Sequence, residues 1–191
     1  DESTCGLSAG DSLTLYDLIC GLLLQSGNDC AAAIAEHISG SQEAFAELMN
    51  TEAKQLGATG THFVNPHGLH DENHYTTTYD LYLMFNEALK DQAFLDIISM
   101  NSYTAKVTSA DGTSYTPTWQ ATNYYSAGEA TPPDGIHVYG GKTGTTDQAG
   151  NCVILYEKNT AGEPYISVIM GASDKPLLYE EMNELLDAGM K

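Results

Sequence analysis

Two segments of the chain carry residue types that can move a proton or hold an anion. The first is Ser26-Gly27-Asn28, a hydroxyl and a carboxamide two residues apart. At a helix break this spacing aims both groups into one cleft. The hydroxyl can pass a proton, and the amide can hold a substrate peptide as donor and acceptor together. Alone, the pattern equally describes a helix elbow with Asn28 as its N-cap. The second segment is Gly140-Gly141-Lys142-Thr143-Gly144-Thr145-Thr146. Lys142 is a positive charge in a chain that has few, and Thr143 and Thr145 offer hydroxyls. The glycines admit a ligand or another backbone at close range. A strand edge here offers N–H groups to an oxyanion. The bland alternative is a glycine-rich strand end with a solvated lysine. A phosphate loop is excluded by spacing, because residue 136 is Ile where that motif has glycine.

Two further groups read as structural. His62, His67, His70 and His74 fall in a segment with Pro66 and Gly68. The order His70-Asp71-Glu72-Asn73-His74 sets the glutamate one place too late for a zinc helix, so loop histidines bonded to backbone are the expectation and no metal is assigned. Trp119, Tyr124 and Tyr125 could stack on a sugar or a base, but strand packing is the default.

The elements that must position these residues follow from periodicity. Leu13, Tyr16, Ile19, Leu22 and Leu23 recur at helical spacing after Thr14. Ser26–Asp29 interrupts them. A small-residue helix over Cys30–Ile38 stops at Gly40, and Ser41 caps a third helix that ends at Gly57. Residues 58–76 read as a loop. Thr76-Thr77-Thr78 opens another helix, and a short one follows near Phe94–Ile98. Ser102–Thr108 and Ser114–Gln120 read as a hairpin, and residues 123–135 as a loop. Strands are expected at His137–Lys142, Asn151–Glu157 and Tyr165–Gly171, and Pro176 opens a closing helix. Helices first and antiparallel strands after make an α+β architecture: a helical lobe over about 11–100, then strands and a closing helix over about 101–191. No linker divides the two.

Composition bounds the function. The 191 residues carry 26 acidic side chains against seven lysines and no arginine, for a net charge of −19. Seven lysines on that background cannot form a counterion-releasing stripe, so nucleic acid is excluded as a partner. Adsorption to an anionic membrane is disfavoured as well. The four cysteines, Cys5, Cys20, Cys30 and Cys152, contain no C-x-x-C pair. Three disulfide connectivities are open to them; Cys20 and Cys30 read as buried free thiols. No signal peptide precedes the first helix.

Taken in order, the motifs say more than each does alone. S-x-N followed by a strand-borne K-T-G makes two thirds of the set S-x-x-K, S-x-N, K-T-G. Leu22–Asp29, Phe45–Asn50, Leu56-Gly57, Thr61–Leu69, His74–Thr77, Gly141–Thr146 and Ala149-Gly150 accompany them in sequence. Over nearly its whole length the chain resembles the low-molecular-mass penicillin-binding proteins, serine-type D-alanyl-D-alanine carboxypeptidases of the peptidase S11 kind. The resemblance implies a β-lactamase/transpeptidase-like fold and an acyl-enzyme that removes the terminal D-alanine from peptidoglycan stem peptides. It implies that Ser26 relays a proton toward the leaving D-alanine, Asn28 holds the substrate amide, and Lys142 supplies positive potential. Thr143, Gly144 and Thr145 then form the substrate strand, with the Thr145 N–H as half of an oxyanion hole. No cofactor is implied. The partners implied are a stem peptide ending in D-Ala-D-Ala and, for the full-length parent, β-lactam antibiotics. An extracytoplasmic location follows, at the cell wall or outer membrane face, with signal and anchor outside this sequence.

Two departures qualify that expectation. No serine is followed three places on by lysine; Ser102, with Lys106 four places on, comes nearest. The nucleophile and its base are therefore expected N-terminal to Asp1, the fold incomplete there, and the chain inactive by itself. The alternative is a nucleophile-free relative that binds wall peptide or a partner. A β-lactamase-type hydrolase ranks third, since no glutamate sits in a deacylation motif. The second departure is the missing arginine after K-T-G, where Lys175 offers a point charge without the bidentate fork.

Overall fold

The computed structural model describes residues 2–189. Helix α1 (Leu15–Cys20) starts at a capping box, in which Thr14 and Asp17 bond each other's backbone N–H. It does not run straight into the next break. Gly21–Gln25 winds as a π-helical turn and ends at Ser26. Helix α2 (Asn28–Ser39) is capped at its N-terminus by Gly27, so Asn28 is its first helical residue rather than its cap. Helix α3 (Gln42–Gln55) begins at the Ser41 cap, and α4 (Thr78–Ala88) at Thr77. The short helix near residue 94 is α5 (Gln92–Ile98).

The expected hairpin is present in two pieces. Strand β1 (Ser102–Thr104) pairs with β4 (Thr118–Gln120), and β2 (Val107–Thr108) with β3 (Ser114–Tyr115), all antiparallel. Its Ala105, Trp119 and Ala121 pack into the same core as Leu18, Leu24, Cys30, Ile34 and Ile97. The hairpin is thus built onto the helices. Helix α6 (Tyr124–Ala127) is a single turn within the expected loop.

The main sheet has the order β5-β6-β7, from β5 (Ile136–Thr146), β6 (Gly150–Asn159) and β7 (Pro164–Ala172). Successive side chains of a strand face opposite ways. On β6, Val153 and Leu155 enter a core with Leu178, Tyr179, Met182 and Leu186 of α7 (Lys175–Gly189). Ile154 and Tyr156 enter another, with Phe85 and Ile98 of α4 and α5. Helices cover both faces, which is why the central strand reads as one apolar run. Strand β5 is an edge of this sheet, and it runs longer than expected, so that the whole K-T-G-T segment lies inside a strand.

Candidate active site

Ser26 owes its position to two local irregularities. The π-helical turn ends on it, and its own backbone is left-handed, with φ 60° and ψ 39°. It is the only non-glycine residue with positive φ among the described residues. Such a conformation costs roughly 1–2 kcal/mol for an L-residue and persists where the surroundings hold it. The Ser26 and Gly27 N–H groups both reach back to the Gly21 carbonyl. Asn28 is held by its N–H, which donates to the Ser3 carbonyl at 2.8 Å.

Lys142 is delivered from the other side. The β5–β6 register slips between Val138 and Gly140, a bulge that resets which face each following residue takes. Gly140 then passes so near α5 that a Cβ on it would lie 1.7 Å from the Ile98 carbonyl oxygen. The expected close approach of another backbone is therefore that of Ile98. Across the gap, Lys142 Nζ donates to Ser26 Oγ at 2.6 Å and to the Thr143 carbonyl at 2.7 Å. Burial pulls the Lys142 pKa down to about 8.

Between these groups lies a cleft of about 540 Å³. Ser26, Asn28, Lys142, Thr143, Gly144 and Thr145 all line it. Thr143 and Thr122 share a hydroxyl–hydroxyl bond of 2.7 Å, and Thr145 Oγ1 donates to Asn151 Oδ1 at 3.3 Å. Asn151 is itself buried and donates to the Ala172 carbonyl. Lys175, at the start of α7, lines the same cleft, which therefore draws two of the chain's seven lysines. The arrangement supplies a hydroxyl in contact with an ammonium, a carboxamide, and a threonine-bearing edge strand. It can pass a proton and bind an anionic, extended ligand.

A family profile described as D-alanyl-D-alanine carboxypeptidase, Peptidase S11, matches residues 1–174. The chain belongs to that family. It is 31% identical to the D-alanyl-D-alanine carboxypeptidase DacF of Bacillus subtilis over 181 residues, 95% of this chain and 44% of DacF. The crystal structure of the Streptomyces K15 DD-transpeptidase superposes with a TM-score of 0.87 at 29% identity, over 98% of this chain and 71% of that one. The D-alanyl-D-alanine carboxypeptidase of Mycobacterium tuberculosis superposes at 0.84 and 27% identity, over 99% and 69%. The fold is thus that of the β-lactamase/transpeptidase-like DD-peptidases. The chain spans about half the length of the curated relatives it matches.

The remaining predicted groups sort as follows in this D-alanyl-D-alanine carboxypeptidase family member. Trp119 is a core residue, and its indole N–H donates to the Cys5 carbonyl. Tyr124 stacks on Tyr179 at 4.4 Å, and Tyr125 donates to Asn183 Oδ1, so both fasten α6 to α7. Three of the histidines, His62, His67 and His74, bond loop backbone. Val64 N–H donates to His74 Nδ1 and Leu69 N–H to His67 Nδ1, which places the proton of each neutral ring on Nε2. Burial lowers the pKa of both, aided at His74 by the neighbouring His67, and both line the cleft.

Sequence reasoning missed the groups that hold the wall in place. Asn50 donates to the Phe63 carbonyl at 2.8 Å and accepts from Phe63 N–H at 2.7 Å, tying the 58–76 loop to α3. Asp80 accepts from Gly60 N–H and Thr61 Oγ1. Asn65 folds the tip by accepting from Gly68 N–H and donating to the Leu69 carbonyl. The turn residues Gly60, Asn65-Pro66, Gly68 and Asp71 signalled a loop in the sequence, but not the partners that tie it down. The partners lie up to 20 residues away.

Proposed function

We propose that this chain forms one wall of the active site of a serine-type D-Ala-D-Ala carboxypeptidase. The enzyme removes the terminal D-alanine from peptidoglycan stem peptides through an acyl-enzyme, outside the cytoplasm. The observation that carries the reading is the 2.6 Å bond from Lys142 Nζ to Ser26 Oγ across the cleft.

Ser26 accepts from a cation on one side and keeps its own proton to give on the other. It is thereby suited to protonate the D-alanine nitrogen as the peptide bond breaks. Asn28 holds the amide of the penultimate residue. Strand β5, an edge of its sheet, takes the extended peptide by main-chain pairing. Gly144 leaves room for it, with no atom within 4 Å of where a Cβ would stand. The Thr143 and Thr145 hydroxyls and the Lys142 and Lys175 charges meet the terminal carboxylate. The Thr145 N–H faces the oxyanion that forms on the attacked carbonyl. The attacking serine and its lysine base are absent from these 191 residues, since no Ser-x-x-Lys occurs. They are contributed from outside this chain, which is inactive alone. β-Lactams acylate the same serine in the full-length gene product.

Labelling of the full-length gene product by a fluorescent penicillin tests this, together with D-alanine release from a peptide ending in D-Ala-D-Ala. Stoichiometric labelling with D-alanine release is expected. A folded product that takes no label and releases no D-alanine overturns the proposal in favour of a wall-peptide binder. Rapid hydrolysis of a chromogenic cephalosporin overturns it in favour of a β-lactamase.

A further inference from the structure

We infer that Cys5 and Cys30 form a disulfide when the protein meets an oxidising environment, pinning the chain's first residues beneath the Ser26–Asn28 segment. All four cysteines are thiols in this structure, but these two are not independent. Their sulfurs and a carboxylate oxygen of Asp29 lie within 4.8 Å of one another. Cys30 is 0% exposed and Cys5 8%. The space they share is cleared on purpose-sized terms: a Cβ on Gly21 would stand 2.7 Å from each sulfur, and one on Gly27 would stand 2.5 Å from that of Cys5.

The backbones on both sides are already fixed in this register. Asp29 Oδ1 accepts from the N–H groups of Cys5, at 2.9 Å, and Cys30, at 3.0 Å. Its Oδ2 accepts from Cys5 and Leu7. The Cys5 carbonyl is held by Trp119, and the Ser3 carbonyl by Asn28 N–H. Bond formation therefore asks for little ordering beyond what the fold imposes. A metal is the poorer occupant of the same cluster. The Asp29 carboxylate is spent on three backbone N–H groups, leaving two sulfurs as donors, and structural zinc takes four.

The chemistry is thiol–disulfide exchange. The thiolate of Cys5, the less buried partner, attacks an external disulfide such as oxidised glutathione and releases one glutathione thiolate. The Cys30 thiolate then attacks the mixed disulfide at the Cys5 sulfur and expels the second glutathione. Two cysteine thiols are oxidised, one glutathione disulfide is reduced to two thiols, and the two protons leave to solvent or to the departing thiolates. The hydrogen bond with the Cys5 thiol, then burial and the Asp29 charge, all raise the Cys30 pKa, so the closing thiolate forms more readily before the core is packed than afterwards. Cys20 keeps its thiol in the core, and Cys152 keeps its own at the cleft.

The bridge bears on the cleft because Glu2 and Ser3 line it and Asn28 hangs from Ser3. The inference stands apart from the proposed catalysis, since its test needs no substrate. The full chain is refolded from the reduced, denatured state in a glutathione redox buffer, alkylated, and mapped by mass spectrometry without reduction. A peptide bearing Cys5 joined to one bearing Cys30 is expected, with Cys20 and Cys152 alkylated. Reduction should lower the Tm by about 10 °C, an effect absent from Cys5→Ala and Cys30→Ala chains. Four alkylated cysteines in folded protein, or a link to Cys20 or Cys152 in place of this one, overturns the inference. So does a zinc-dependent Tm with all four thiols recovered.

Discussion

Lys142 and Ser26 stand 116 residues apart in sequence and 2.6 Å apart in space. One arrives on an edge strand, the other on a strained turn. The contact is charge-assisted, and removing the ammonium removes both the positive potential and the partner of the Ser26 hydroxyl. In the full-length gene product, Lys142→Ala should lower the rate of acylation by penicillin about 10²–10³-fold. Lys142→Arg should recover little, because a planar fork does not replace a point charge in this gap. Stopped-flow labelling measures both; a loss below threefold for Lys142→Ala would show that the contact is structural.

The same lysine predicts a pH dependence. Its pKa falls from 10.5 to about 8 on burial, so the cation is half lost at about pH 8 and goes as the pH rises through that value. Acylation should decline through a single ionisation there. Stability should move the other way. Between about 8 and 10.5 the unfolded chain binds the proton and the folded chain does not, so stability rises across that window. Urea unfolding of wild type minus Lys142→Met should show this rise, and a flat difference contradicts it.

Glu157 offers the opposite sign. It is 0% exposed in β6, and one oxygen accepts from Ser167 Oγ while the other has no partner. Burial lifts its pKa from 4.5 to about 7. The folded state holds the extra proton between those values, so stability falls as pH rises through the window, by about 3 kcal/mol. Glu157→Gln should keep the Ser167 contact and be the more stable protein at pH 8, with the two converging near pH 4.5. Denaturation curves that stay parallel across that range would refute it.

The left-handed backbone at Ser26 should separate two variants. Both Ser26→Ala and Ser26→Gly strip the Lys142 ammonium of an acceptor, at a cost of about 1–3 kcal/mol. Ser26→Gly also relieves the strain that Ser26→Ala keeps, so it should be the more stable of the two by about 1 kcal/mol. Both should slow D-alanine release in the full-length enzyme. Equal stabilities for the two variants would show that the φ of 60° carries no cost.

Two glycines of one strand should differ sharply. Gly140→Ala drives a methyl to 1.7 Å from the Ile98 carbonyl, and the backbone must move. A loss of about 3 kcal/mol or more is expected. Gly144→Ala meets nothing within 4 Å and should stay within about 0.5 kcal/mol in stability. Thermal unfolding of the two single variants settles the comparison.

Much of the molecule was legible from residues alone. Caps at Thr14, Ser41 and Thr77 and the apolar periods between them gave the helices, because helix ends are decided by neighbours three residues away. The strand expected at Asn151–Glu157 is present as β6, and the ordered S-x-N and K-T-G motifs pointed to the family. Local order also explains the failures. The π-helical turn, the bulge before Gly140 and the full length of β5 depend on what packs against them from α5, β6 and the cysteine pocket. Asn50, Asp80, Asn151 and Thr122 look like ordinary polar residues until the fold brings their distant partners within hydrogen-bond reach. The contact of Ser26 with Lys142, the depressed lysine pKa and the proximity of the Cys5 and Cys30 sulfurs belong to the tertiary structure in the same way. Sequence supplies the chemistry of each group and the elements that carry it; burial and the meeting of segments far apart in the chain decide which groups touch and in what charge state.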